Sequence, residues 1–148
     1  MSRSVQELFD LRGRSALITG GSRGLGLQVA EALGEAGASL LLTSRKETDL
    51  RQAAESLAAR GIKAQWAAAH AAEPDQIERI CGQAIERLGK IDILINNAGA
   101  TWGAPAEDYP LGGWDKVMNL NVRSAFLFSQ YIAKHSMIGR RSGSIINV

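Results

Sequence analysis

Short, nearly continuous apolar runs alternate along this chain with longer stretches in which apolar residues recur at three- and four-residue spacing. Ser15-Ala16-Leu17-Ile18, Ser39-Leu40-Leu41-Leu42-Thr43, Ile91-Asp92-Ile93-Leu94-Ile95 and Ser144-Ile145-Ile146-Asn147-Val148 are such runs. A strand that is apolar at consecutive positions is covered on both faces, which is the habit of parallel sheets. The pattern predicts strands near 14–19, 38–43, 62–68, 91–95 and 143–148, and helices near 24–36, 46–60, 74–89 and 112–138. The third helix reads most clearly: Ile77, Ile80, Cys81, Ala84, Ile85 and Leu88 form one stripe, and Gly89 just past it is a helix stop. In the stretch after Pro110 the apolar residues, Trp114, Val117, Met118, Val122, Ala125, Phe126, Phe128, Ile132 and Ala133, spread around the circumference. That helix is expected to be buried on more than one side.

Strict alternation of strand and helix with right-handed crossovers gives an α/β fold: a Rossmann-type, doubly wound parallel sheet of order 3-2-1-4-5 with helices on both faces. One domain over residues 1–148 is expected, ending after the fifth strand. The order reverses beside the first strand, where Thr19-Gly20-Gly21-Ser22-Arg23-Gly24-Leu25-Gly26 leads into a helix. Glycines let the backbone turn sharply and approach a pyrophosphate, while the unpaired N–H groups and positive dipole end of the next helix face the anion. The spacing is Gly-x3-Gly-x-Gly; counting Gly-x-Gly-x-x-Gly from Gly24 puts Val29 at the third glycine. Taken alone, the glycines also fit a tight strand-to-helix turn that holds no ligand.

Composition narrows the picture by exclusion. The 148 residues are 45% hydrophobic and 22% charged, ordinary values for a globular domain. Seventeen basic and fifteen acidic residues leave a net charge of +2, without a basic stripe suited to nucleic acid. Residues 1–12, with Arg3 and Arg12, contain no continuous apolar segment for a signal peptide, and no run approaches the ~20 apolar residues of a membrane helix. A cytoplasmic location is the expectation. Cys81 is the single cysteine, so it forms no internal disulfide, and its place in the apolar stripe reads as core packing. His70, His135 and Cys81 lack metal-ligand spacing, so no metal is expected.

Two further motifs join the glycine turn: Asn96-Asn97-Ala98-Gly99 closes the fourth strand, and Asn119-Leu120-Asn121-Val122 lies on a later helix. Together the three resemble the short-chain dehydrogenase/reductase family, over essentially all of residues 9–148. The resemblance implies hydride transfer between a nicotinamide cofactor and a carbonyl or secondary alcohol. It makes Gly20, Ser22, Arg23, Gly24, Leu25 and Gly26 the phosphate cradle, puts Asn97, Ala98 and Gly99 beside the cofactor, and leaves Asn96 open to a purely structural role. It makes Asn121 a catalytic-type residue that holds a water in the proton relay, against the reading of a polar residue capping a backbone defect. It also implies a homo-oligomer built through helix 112–138.

Arg45 stands nineteen residues beyond Gly26, where an acidic residue normally grips the ribose 2′-hydroxyl of NAD. An arginine there pairs instead with a 2′-phosphate, with Ser44 donating a hydrogen bond and Arg23 adding a second cation. NADP is therefore expected over NAD, with solvated surface arginines as the alternative. After the third strand the family usually carries an aspartate that contacts the adenine amino group; here the place is taken by His70, followed by Ala71. An adenine contact and a partly exposed loop histidine both fit it.

The family's serine and Tyr-x3-Lys are absent: His135 stands four beyond Tyr131, and Gly113 four beyond Tyr109. The chain is expected to be the N-terminal part of a longer protein and inactive alone, because an alkoxide formed by hydride transfer needs a proton donor. Two alternatives are an NADP(H)-binding sensor or regulatory module and a non-functional fragment. The segment Thr101–Leu111 resembles that of sugar-acid dehydrogenases of the gluconate 5-dehydrogenase kind, with oxoacyl reductases as the other option. Trp102 and Trp114 read equally as substrate-side and as packing residues.

Overall fold

A computed structural model describes residues 4–148. Arg3, part of the polar opening segment, lies outside them. The elements in chain order are α1 (Val5–Leu8), β1 (Ser15–Thr19), α2 (Gly24–Glu35), β2 (Ser39–Ser44), α3 (Glu47–Ala59), β3 (Ala64–Ala68), α4 (Pro74–Leu88), β4 (Ile93–Asn96), α5 (Leu111–Met118), α6 (Ser124–Ile132) and β5 (Ser144–Asn147). The five strands form one parallel sheet of order β3-β2-β1-β4-β5. Alternate residues of each strand serve opposite faces. Leu17, Leu41 and Leu94 pack with Ile77, Ile80, Cys81 and Phe128 on one side. Ala16, Ile18, Leu40, Leu42 and Ile95 pack with Ala30, Leu50 and Leu57 on the other. Burial pushes the Cys81 thiol up to about 12, which agrees with a packing role and keeps it protonated.

Three boundaries differ from the sequence pattern for local reasons. The single turn α1 is closed by a capping box in which Ser4 and Glu7 exchange hydrogen bonds with each other's backbone. β3 begins at Ala64 because Ile62 is still closing α3, its N–H donating to the Leu57 carbonyl across left-handed Gly61. β4 begins at Ile93 because the backbone N–H and C=O of Ile91 are both engaged by the Ser136 hydroxyl. Gly89 does stop α4, in the left-handed conformation with φ 77°.

The predicted helix 112–138 is not one α-helix. Between α5 and α6 lies a π-helical segment, Asn119–Arg123, and a second, Ala133–Met137, follows α6. Each advances the chain by i→i+5 bonding and rotates later side chains relative to an α-helical count. Ser124, Phe128, Ile132, Ser136 and Met137 consequently share the buried side. Among the described residues only this side is covered, and Leu111, Trp114, Val122 and Phe126 remain exposed.

At the sheet end opposite the glycine turn, the Asp92 carboxylate is 4% exposed. It accepts hydrogen bonds from the backbone N–H of Ser15 and from Arg140, and pairs with Lys90 and Arg14. Desolvation pulls its pKa up, but the bonds from Arg140, Ser15 and Lys90 outweigh it and hold the group below the ordinary carboxylate value. A lowered folded-state pKa stabilises the protein above the unfolded-state value of about 4, and that stability is lost as pH falls through the folded-state pKa. Asp92→Asn should therefore cost about 1–3 kcal/mol at pH 7. In urea titrations the gap between the variant and the parent should narrow as pH falls below about 4.

Candidate functional site

Thr19, the last residue of β1, ties the two central strands together at the rim. Its Oγ1 donates to the Ile95 carbonyl at 3.3 Å and accepts the N–H groups of Asn97 and Ala98, each at 3.0 Å. The Asn97 side chain answers from the other direction, donating to the carbonyls of Thr19 at 3.1 Å and Gly20 at 3.2 Å. Asn97 thereby fixes the turn that would hold phosphate. Asn96 is structural in its contacts, donating to Ser129 Oγ and Asn147 Oδ1 and so joining β4 to α6 and β5.

Two glycines of the turn differ in what confines them. Gly24 has φ +55°, and a Cβ built on it would meet no protein atom within 4 Å. Gly24 is also one of the residues that line the cleft. Gly26 faces inward: a Cβ there would collide with the Gly20 carbonyl oxygen and come within 2.5 Å of Asn97 Nδ2. The first leaves open space at the cleft wall, and the second lets α2 approach the turn.

A cleft of about 310 Å³ runs along this edge. Gly20, Ser22, Arg23 and Gly24 form its wall at the turn, and Asn97, Ala98 and Gly99 form the wall at the end of β4. Ser44 and Arg45 line it beyond β2, and Ala69 and Ala71 line it beyond β3. Two observations test whether a phosphorylated dinucleotide fits. Among the described residues no side chain caps α2, so the N–H groups of its first turn are free for an anion. Thr43 Oγ1 and Ser44 Oγ are buried without a hydrogen-bond partner among the described residues. Such orphaned groups each cost roughly 1–3 kcal/mol until something bonds them. The residues present fit the group.

Of the residues singled out in the sequence, Leu25, Gly26, His70 and Asn121 are not cleft walls. Leu25 is exposed on α2 and Gly26 is packed inside. His70 lies between the two alanine walls, its ring turned so that Nδ1 accepts the Ala72 N–H at 3.2 Å. Asn121 sits in the first π-helical segment and exchanges two hydrogen bonds with Ala100: Oδ1 accepts the Ala100 N–H at 2.8 Å, and Nδ2 donates to the Ala100 carbonyl at 2.9 Å. It pins the chain immediately after Gly99. Trp102 lies against Gly113, with the Lys116 ammonium 5.3 Å from its ring centre, whereas Trp114 faces outward.

Sequence reasoning missed Thr43, Lys46, Asp49, Ala69 and Leu120 as walls. Thr43 and Lys46 flank the quoted Ser44-Arg45 pair, so adjacency to the strand end was the available signal. Asp49, on the first turn of α3, had none. Among the described residues no group of His, Cys, Asp and Glu could hold a metal ion, and no helix is long and apolar enough to cross a membrane.

Comparison with known proteins agrees with this geometry. Residues 14–148 match the short chain dehydrogenase family. Gluconate 5-dehydrogenase of Gluconobacter oxydans is 42% identical over 147 residues, covering 98% of this chain and 56% of that protein. The rhamnolipids biosynthesis 3-oxoacyl-[acyl-carrier-protein] reductase of Pseudomonas aeruginosa is 41% identical over 139 residues, covering 94% and 53%. A metagenomic short-chain oxidoreductase solved in complex with NADP superposes with a TM-score of 0.89 at 33% identity, covering 93% of this chain and 62% of that one. The chain spans about half the length of the curated relatives it matches.

Proposed function

The chain belongs to the short-chain dehydrogenase family, and on that footing we propose that it binds NADP(H) in the cleft described above and serves hydride transfer to and from a carbonyl or secondary-alcohol carbon. The observation that carries the cofactor choice is the end of β2, where the orphaned Ser44 Oγ stands with Arg45 and Lys46 in a cleft that Arg23 also lines. A 2′-phosphate satisfies the hydroxyl and pairs with the guanidinium groups, whereas a plain ribose leaves three cations without a partner. The N–H groups at the start of α2 would hold the pyrophosphate, and Asn97, Ala98 and Gly99 would form the wall on the nicotinamide side. The nicotinamide, when bound, supplies or accepts the hydride. Asn121 keeps Ala100 and the preceding turn in place through its paired bonds.

Neither tyrosine lines the cleft, and Tyr131 packs on the α4 side of the sheet. We therefore propose that these 148 residues by themselves bind cofactor without turning over substrate. The gluconate 5-dehydrogenase relative supports a sugar acid as the substrate class. The exposed Leu111, Trp114, Val122 and Phe126 are the face assigned to a second copy.

Fluorescence titration tests the cofactor reading. NADPH should bind more tightly than NADH, and Arg45→Asp should reverse the order. Each charge-assisted bond lost costs ~1.5–3 kcal/mol, or roughly ten- to a hundredfold in affinity. Equal affinities in the parent chain would reject the NADP assignment. Incubating the chain with NADPH and a ketone panel that includes 5-ketogluconate should give no oxidation. Turnover would place a proton donor within these residues.

A further inference from the structure

In the order β3-β2-β1-β4-β5, β3 ends the sheet on one side, and among the described residues no strand lies beyond it. Two bonds fix which of its backbone groups face outward. The Leu40 N–H donates to the Lys63 carbonyl at 2.8 Å, and the Ala69 N–H donates to the Ser44 carbonyl at 2.9 Å, so residues 63 and 69 face β2. Alternation puts 65 and 67 with them and turns the N–H and C=O groups of Ala64, Trp66 and Ala68 away from the sheet. Such a row is a template for pairing with another chain.

Natural proteins blunt a free edge with charged residues, proline or a bulge on the strand itself, or by covering it. Ala64-Gln65-Trp66-Ala67-Ala68 has no charge and no proline, and all five residues pair with β2 in unbroken register. The protection comes instead from α4. Arg87 Nη1 donates to the Trp66 carbonyl at 3.1 Å, and Arg79 Nη2 donates to the Ala68 carbonyl at 2.9 Å. Positions eight apart on a helix lie within about 80° of each other, so both arms leave the same flank. The later arginine takes the earlier carbonyl, because α4 runs back along the strand.

We infer that Arg79 and Arg87 are an edge guard: they occupy outward acceptors of β3 and so keep a second copy of this chain from adding its own β3 to the sheet. A second copy is the occupant that the bare edge would take. Antiparallel pairing of a strand with its twin about a two-fold axis is self-complementary, and an uncharged strand brings no like charges into register. With the guanidinium groups in place, the same pairing gathers two cations from each copy at one seam and has to break their bonds to Trp66 and Ala68 first. Self-association is thereby left to the face of Leu111, Trp114, Val122 and Phe126 assigned above to a second copy.

Amide hydrogen exchange, read residue by residue at low and high protein concentration, tests the guard. In the double variant Arg79→Ser/Arg87→Ser the outward amides of Trp66 and Ala68 should slow by about tenfold or more as concentration rises, and in the parent chain they should not change. Ala16, Leu17 and Ile18 of β1 should stay as slow as in the parent, which shows that the sheet is intact. Arg79→Lys/Arg87→Lys keeps the charge and a donor at each place and should behave as the parent does. Exchange at Trp66 and Ala68 that ignores concentration in the serine variant would overturn the inference, and so would equal slowing in the parent. If β1 loses its protection in the double variant, Arg79→Ser and Arg87→Ser are read singly, and no concentration dependence in either overturns the inference.

Discussion

Gly24→Val is expected to bind NADPH at least a hundredfold more weakly than the parent chain while unfolding only a few degrees earlier. The expectation combines two features of Gly24: its φ is +55° with no protein atom within 4 Å of an added Cβ, and it lines the cleft. Holding an L side chain in the left-handed region costs roughly 1–2 kcal/mol. For a domain of this size that lowers the unfolding temperature by about 2–8 °C. Nothing in the protein is displaced, so the sheet and its two cores remain. The two branches of valine stand where a pyrophosphate must approach the N–H groups opening α2, and the bonds to those groups are lost with the approach. Calorimetry with NADPH, alongside circular dichroism of the same sample, separates the two effects. Affinity equal to the parent's would mean that the turn holds no phosphate.

Much of this architecture is legible in sequence because the strongest signals are periodic. The apolar runs place β1, β2 and β4 within two residues of their ends, and the connection rules alone give the observed strand order. Other features leave no periodic trace. α1 is four residues long, too short for a helical repeat, and is defined by the pairing of Ser4 with Glu7. The π-helical segments at Asn119–Arg123 and Ala133–Met137 break the 3.6-residue count, so residues that share one buried side look scattered when counted as an α-helix. Asp92 interrupts an apolar run, and the convergence of Arg14 and Arg140 from distant segments, beside neighbouring Lys90, explains it. In the cleft, the motifs name the strand ends but not what each side chain does there. Asn97, expected beside a ligand, spends its amide on the carbonyls of the turn. Asn121 spends its amide on Ala100. Such roles depend on which backbone atoms lie opposite, and that is a property of the assembled sheet.

Two residues further along the same turn the outcome should invert. Gly26→Ala adds a single methyl group, the smallest possible change, yet it is expected to damage the fold as well as the binding. The added Cβ collides with the carbonyl oxygen of Gly20 and lies 2.5 Å from Asn97 Nδ2, and neither is the free end of a flexible side chain. Gly20 is itself left-handed, at φ +65°, and Asn97 is committed to two carbonyls and to the hydroxyl of Thr19, so relief requires α2 to move away from the sheet. Moving it strains the contacts that Ala30 and Leu27 make on the β1–β2 face. Overpacking of this kind costs about 3 kcal/mol where backbone must shift. The unfolding temperature should drop by about 6–12 °C, and the opening N–H groups of α2 should no longer converge on one point. Differential scanning calorimetry of the parent, Gly24→Val and Gly26→Ala, each with and without NADPH, distinguishes the two positions. The parent should gain stability from the cofactor and neither variant should, but only Gly26→Ala should start far below the parent. A Gly26→Ala chain that unfolds with the parent would show that α2 does not depend on this contact to seat against the turn.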